Sequence, residues 1–189
     1  MQGLDDTLES GLVEKVRAGN RTAFGRLVEP HLPRLLGLAR RMLGSSEEAE
    51  DALQTALAST WVARAKLDPA KPIAAYLTTV TLNKCRDRLR RRKVSQFLGI
   101  GSFDPEIPIA SDEPGTETHV ADRQLLHEVS RAIERLPVRL REALVLVAVE
   151  GRSHREVSQL LGVTEKTVEM RVYRARQRLR EKNSDMFEA

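Results

Sequence analysis

Near the C-terminal end of this 189-residue chain, Lys166, Glu169, Met170, Tyr173 and Arg174 recur three and four residues apart, a spacing that gathers them on one side of an α-helix. Side chains of these types read nucleic acid: a lysine or arginine donates to guanine or phosphate, and a glutamate accepts from cytosine N4 in the major groove. Arg171, Arg176, Arg178 and Arg180 thicken the positive field around them. A second run, Lys84 to Lys93, holds seven basic residues in ten. Asn83, Arg86 and Arg90 share a side there and suit a phosphate backbone, while Asn83 and Tyr76 offer hydrogen-bonding and stacking groups for exposed bases. The same basic tail also complements the negative end of a helix dipole, so on its own it reads as readily as a structural feature.

Chemistry of the bond-making kind finds no site. Asp51 and Gln54 project together from a helix face, but no His or Cys stands at ligand spacing from them, and ordinary surface polarity accounts for them. His31, His119, His127 and His154 are scattered, and neither a His-Glu-x-x-His nor a phosphate-loop pattern occurs. The chain reads as a non-enzyme that needs no cofactor and no metal. Cys85 is the lone cysteine; within a basic run its thiol would be activated, but a small buried spacer is the better reading.

The elements that must position these groups are helices. Apolar residues recur three and four apart on both sides of a central break, no alternating run competes, and aromatics make up just 4% of the chain. Ser45 and Glu48 have capping-box spacing and start a helix whose apolar face is Ala49, Ala52, Leu53, Ala56, Leu57 and Trp61. Another helix starts near Pro72 with Ile73, Tyr76, Leu77 and Val80 at helical spacing and runs into the basic tail. Further on, Leu125, Val129, Ile133 and Leu136 mark a helix that Pro137 interrupts, and Leu140 to Val149 marks the next. After Gly151, Ser153 and Glu156 repeat the capping-box spacing, Gly162 breaks the short helix that follows, and Thr164 caps a last helix with Val168, Val172, Ala175 and Leu179 turned inward. Helix, glycine turn, helix over His154 to Arg180 is the form of a DNA-binding helix-turn-helix.

The break is the segment 94–122, which contains several Gly and Pro residues and no sustained apolar period. Charge divides at the same places. Residues 1–93 carry 17 Lys+Arg against 11 Asp+Glu, residues 94–122 carry none against 6, and residues 123–189 carry 14 against 10. The expected architecture is therefore all-α: two small helical domains, 1–93 and 123–189, joined by a flexible acidic linker that nucleic acid would repel. That linker is expected to fold back and screen the basic modules in the free protein. The start of the chain carries Asp5, Asp6 and Glu9 in place of a basic cluster before an apolar run, no stretch reaches membrane-spanning length, and a single cysteine fits a reducing cytoplasm.

Together these residues resemble the extracytoplasmic-function sigma factors, the bacterial RNA polymerase subunits that keep only the second and fourth sigma domains. Ala49-Glu50-Asp51-Ala52-Leu53-Gln54 is similar to the family segment that binds the clamp helices of the polymerase beta-prime subunit, which implies a contact role for Glu50, Asp51 and Gln54. Ala75-Tyr76-Leu77 through Val80-Thr81-Leu82-Asn83 to Asp87-Arg88-Leu89-Arg90 is similar to the helix that melts and reads the minus-10 promoter element, implying Tyr76, Asn83, Arg86, Asp87 and Arg90 as contacts. The loop Lys66 to Pro72 lies where the family captures a flipped base. Glu134-Arg135-Leu136-Pro137, Thr167-Val168-Glu169 and Tyr173-Arg174-Ala175-Arg176 resemble the minus-35-binding domain, which adds Arg176 to the reading set of Lys166, Glu169, Met170, Tyr173 and Arg174. Tyr76 stands where the family usually has Trp, and Thr81-Leu82 replaces a usual Ala-Arg pair. The resemblance implies core RNA polymerase, through its beta-prime and beta subunits, promoter DNA and an anti-sigma factor as partners. The alternative from the residues alone is a free-standing helix-turn-helix regulator, which leaves the basic run at Lys84 to Lys93 without a purpose.

Overall fold

A computed structural model of the chain describes residues 2–98 and 128–187. The described residues form helices joined by short turns: α1 (Gln2–Arg17), α2 (Arg21–Val28), α3 (Leu32–Leu43), α4 (Ser46–Val62), α5 (Ile73–Phe97), α6 (128–134), α7 (Val138–Leu144), α8 (His154–Leu161) and α9 (Glu165–Phe187), with no strand among them. Most of the acidic linker expected over 94–122 lies outside the described residues. Its first residues do not: α5 continues through Phe97, past Lys93, because nothing in Val94-Ser95-Gln96-Phe97 breaks a helix.

Local chemistry accounts for the helix ends. The Asn20 side chain accepts from Ala23 N–H at 2.9 Å to start α2. Gly44 takes a left-handed φ of 70° and donates to the Arg40 carbonyl at 2.8 Å, closing α3 in a conformation that costs other residues a steric penalty. Ser45 Oγ accepts from Glu48 N–H at 3.2 Å and starts α4, but only half of the expected capping box forms, because the Glu48 carboxylate turns to Arg92. Pro72 gives α5 no side-chain cap; the Ile73 N–H instead donates to Glu9 Oε1 of α1 at 2.8 Å, so the first helix caps the fifth across 64 residues of sequence.

One core sits under α1, α2, α3, α4 and the start of α5, and includes Val13, Val16, Leu27, Leu35, Ile73 and Leu77. A second core is continuous between the two domains: Leu38, Met42, Leu82, Cys85 and Leu89 pack with Ala143, Leu144, Val145, Leu146, Val157 and Val168. Burying each such leucine contributes about 1.5–3 kcal/mol. The stretch expected to be one helix from Leu140 to Val149 divides into α7 and a wide π turn, Val145–Val149, in which Glu150 N–H reaches back to the Val145 carbonyl.

Cys85 lies fully within this core, and burial pushes its thiol up to about 12. The small-spacer reading of this residue therefore fits its surroundings. In the folded chain Cys85 should resist a thiol reagent at pH 8 and react at once in denaturant. Stability linked to this thiol is fully present below pH 9 and is lost as pH rises from about 9 towards about 12, where folded Cys85 ionises. Rapid labelling under native conditions would show that the thiol is accessible after all.

Candidate nucleic-acid interface

The two helices α8 and α9 are set by their caps. Ser153 Oγ accepts from Glu156 N–H at 3.2 Å while the Glu156 carboxylate accepts from Ser153 N–H at 2.8 Å, a complete capping box. The Ser153 hydroxyl and backbone N–H hold the Glu156 carboxyl below its usual range. Gly162 ends α8 with φ 63°, and Thr164 Oγ1 accepts from Thr167 N–H at 3.2 Å to start α9. Val168, Val172 and Ala175 then point into the core, with Leu179 partly buried against it.

The opposite face of α9 is open to solvent at Lys166, Glu169, Met170, Tyr173, Arg174 and Arg176. Tyr173 is 62% exposed, an unusual position for an aromatic ring without a partner. Lys166 Nζ and Glu169 Oε2 pair at 3.0 Å across one turn. Both are exposed, so a pair of this kind contributes about 1 kcal/mol or less and yields easily to a better partner. Around the side of α9, Arg174 and Arg178 line a groove with Arg139 of α7 over Pro137 and Leu140. Three guanidiniums therefore line one groove beside the exposed face of α9.

The basic run on α5 is differently arranged from a uniform solvated stripe. Asn83 and Arg90 are exposed, and Tyr76 is half-buried against the first core. Asp87 accepts from Arg90 at 2.9 Å, and Asn83 Oδ1 accepts from Arg86 Nη1 at 2.8 Å. The rest of the Arg86 guanidinium is held by a residue of the second domain: Nε and Nη2 donate to the two carboxylate oxygens of Glu142 at 2.5 and 3.0 Å. Those hydrogen bonds to Glu142 raise the Arg86 pKa. Arg88 pairs with Asp51 at 3.0 Å, and Arg92 binds Glu48 and the Leu43 carbonyl. Several of the run's cations are thus engaged inside the chain, because α3 and α4 carry carboxylates and carbonyls where α5 crosses them.

Glu50, Asp51 and Gln54 stand exposed on α4, above the buried Ala49, Ala52, Leu53 and Ala56. Glu50 receives Arg40 at 3.3 Å. The Lys66 to Pro72 loop, which follows α4 in the chain, is pinned by Leu67, which is buried, and by Asp68, whose Oδ1 accepts from Ala70 N–H at 3.0 Å. Among the described residues no cluster of His, Cys, Asp and Glu is arranged to hold a metal ion.

Arg34, Arg141, Glu142, Glu150 and Arg152 escaped the sequence reading, and all five lie where α3 and α5 meet α7 and α8. Arg34 pairs with Glu150 at 3.4 Å and donates to Thr78 Oγ1 at 3.0 Å; Arg152 donates to the same hydroxyl at 3.3 Å. Arg141 is buried and donates to the carbonyls of Met42, Glu134 and Leu136. The available signal was the Arg141-Glu142 pair inside the otherwise apolar stretch Leu140 to Val149. Buried charges are rare unless paired, so such a pair marks a contact with another element.

Comparison with known proteins agrees with this layout. Residues 27–94 match the family model described as Sigma-70 region 2, and residues 126–179 match Sigma-70, region 4. The RNA polymerase sigma factor CnrH of Cupriavidus metallidurans is 37% identical over 172 residues, covering 89% of this chain and 90% of that protein. The ECF RNA polymerase sigma factor SigM of Mycobacterium tuberculosis is 36% identical over 162 residues, covering 86% of this chain and 78% of that one. The structure of CnrH in complex with the cytosolic domain of CnrY superposes with a TM-score of 0.68 at 28% identity, covering 94% of this chain and 98% of the other.

Proposed function

This chain belongs to the extracytoplasmic-function sigma factors of the sigma-70 family and directs promoter-specific transcription initiation with RNA polymerase; from that premise we propose which of its faces meets which partner. It is not a free-standing regulator. We divide it into domain 2, residues 1–93, the linker 94–122 and domain 4, residues 123–189. The α4 face of Glu50, Asp51 and Gln54 docks on the beta-prime subunit, with the beta subunit as the further contact on core polymerase. Tyr76, Asn83, Arg86, Asp87 and Arg90 of α5 engage the minus-10 element. Lys166, Glu169, Met170, Tyr173, Arg174 and Arg176 of α9 read minus-35.

The observation that carries this reading is the α9 face, where a capped helix-turn-helix leaves a lysine, a glutamate, a tyrosine and arginines in solvent with their apolar neighbours buried behind them. The protein itself catalyses no reaction and acts in the cytoplasm beside the polymerase. Among the described residues no helix is long and apolar enough to cross a membrane. CnrH was solved holding the cytosolic domain of CnrY, and a sequestering anti-sigma protein is proposed as a partner of this chain as well.

Run-off transcription of a genomic library with core polymerase, with and without the chain, tests the assignment and yields the promoter motif. In that system Glu169→Ala should change base preference at one minus-35 position, at about 1–3 kcal/mol of discrimination, while Arg178→Ala should weaken all promoters about equally. An unchanged preference would remove Glu169 from base readout.

A further inference from the structure

Tyr76, Asn83 and Arg90, three of the proposed minus-10 contacts, stand seven residues apart along α5, and the next residue in that series is Phe97. Seven residues fall about 20° short of two full turns, so the four side chains drift by only about 60° and share one side of the helix. The opposite side is the buried one, with Leu77, Thr81, Leu82, Cys85 and Leu89. Phe97 is 91% exposed, the most open large apolar side chain among the described residues. Val94, one turn earlier, and Leu98 are exposed beside it, so the end of α5 is an apolar tip and not a lone ring. Lys93, also one turn before Phe97 on this side, is exposed, as is Arg91. At about 1.5 Å per residue, Tyr76 to Arg90 spans about 21 Å, the length of about six base steps, and Phe97 stands about 10 Å further on, about three steps more.

We propose that Phe97 is a further, base-selective promoter contact: its ring packs on a thymine methyl in the major groove, about three base pairs upstream of the pair that Arg90 meets, with Lys93 on the adjoining phosphate. The proposal rests on the minus-10 reading of α5 given above. At the start of that helix Tyr76 and the Lys66 to Pro72 loop serve unpaired bases, whereas the cations further along suit a paired backbone. The helix thus runs from melted to paired DNA, and its last turns lie over duplex on the minus-35 side. Phenylalanine has nothing to hydrogen-bond, and the apolar mark that a base pair shows in the major groove is the C5 methyl of thymine. Charge permits the approach. No acidic residue stands between Asp87 and Asp104, and the six carboxylates of 94–122 begin only at Asp104. Phe97 lies past residues 27–94, the stretch shared with Sigma-70 region 2, so the family pattern does not supply this contact.

The test uses the full chain in holoenzyme and fork-junction promoters, paired upstream of the minus-10 element, that carry a thymine at one of the first five paired positions on either strand. Replacing that thymine by deoxyuridine deletes only the methyl. At one position the replacement should lower wild-type affinity by about four-fold, the effect of one buried methyl at about 0.8 kcal/mol. Phe97→Ala should lose a similar factor on the thymine promoter and respond to deoxyuridine at no position. Lys93→Gln should weaken thymine and deoxyuridine promoters alike and flatten the slope of log affinity against log salt by about 0.9. Because Phe97 is exposed and alanine favours helix, the alanine variant should keep its helix content and its affinity for core polymerase. Loss of core affinity would make Phe97 a polymerase contact and overturn the proposal. It is overturned equally if no position responds in wild type, or if Phe97→Ala keeps the wild-type response. Arg90→Ala on the same promoters tests the underlying reading: unchanged affinity there removes both, whereas a loss there beside a silent deoxyuridine series leaves the minus-10 assignment standing.

Discussion

Replacing Asp51 and Gln54 together by alanine is expected to weaken assembly with core polymerase by ten-fold or more, about 1.4 kcal/mol, while helix content stays unchanged. The two residues are exposed on the same face of α4, and neither contributes to the apolar side formed by Ala49, Ala52, Leu53 and Ala56. The Asp51 carboxylate pairs with Arg88 at 3.0 Å, and its side chain is 58% exposed. An ion pair so open to water adds little to folding, so its loss should hardly register in stability. At an interface the same carboxylate is desolvated, and its removal strands whatever donor the polymerase supplies. Surface plasmon resonance of wild type and double variant on immobilised core polymerase, with circular dichroism on both, measures the effect. Equal affinity would remove this face from polymerase contact.

Arg141→Ala should cost roughly 3 kcal/mol or more of stability, since the buried carbonyls it serves lose their donor at about 1–3 kcal/mol each. Its guanidinium reaches the carbonyls of Met42 in α3, of Glu134 at the end of α6 and of Leu136 just beyond it, closing the end of one helix in the first domain and the turn before Pro137 in the second. Burial lowers the Arg141 pKa, and Glu134 nearby opposes that shift. The cation therefore persists in the core because main-chain dipoles surround it. In a chain of this size the thermal midpoint should fall by about 6–12 °C. Arg141→Lys should recover only part of the loss, because one ammonium cannot reproduce a planar fork of donors. Thermal unfolding followed at 222 nm decides it, and a fall of under 2 °C for the alanine variant would show that the carbonyls find other donors.

Most of the local structure was legible from the sequence because it depends on neighbours a few residues apart. Helical periodicity identified the all-α class, and the caps at Ser153, Gly162 and Thr164 fall where spacing put them. The exposed face of α9 followed for the same reason: once Val168, Val172 and Ala175 are inward, Lys166, Glu169, Tyr173 and Arg174 have to be outward. What periodicity could not supply is the partner of a charge. The Ser45 cap stayed half-formed because Glu48 found Arg92, and α5 took its cap from Glu9 of a distant helix.

The sequence by itself therefore determined the helices, the two-domain plan, the family and the residue types that stand exposed on α9, since each depends on short-range spacing and side-chain chemistry. Only the tertiary structure decided that the two domains share a core, that Arg86 is taken by Glu142, and that Arg141 is a buried strut between α3 and α7. Those contacts join residues 56 and 99 positions apart, and their geometry depends on how α3, α5 and α7 cross. A crossing is set by the packing of whole apolar faces, which no local pattern of residues encodes.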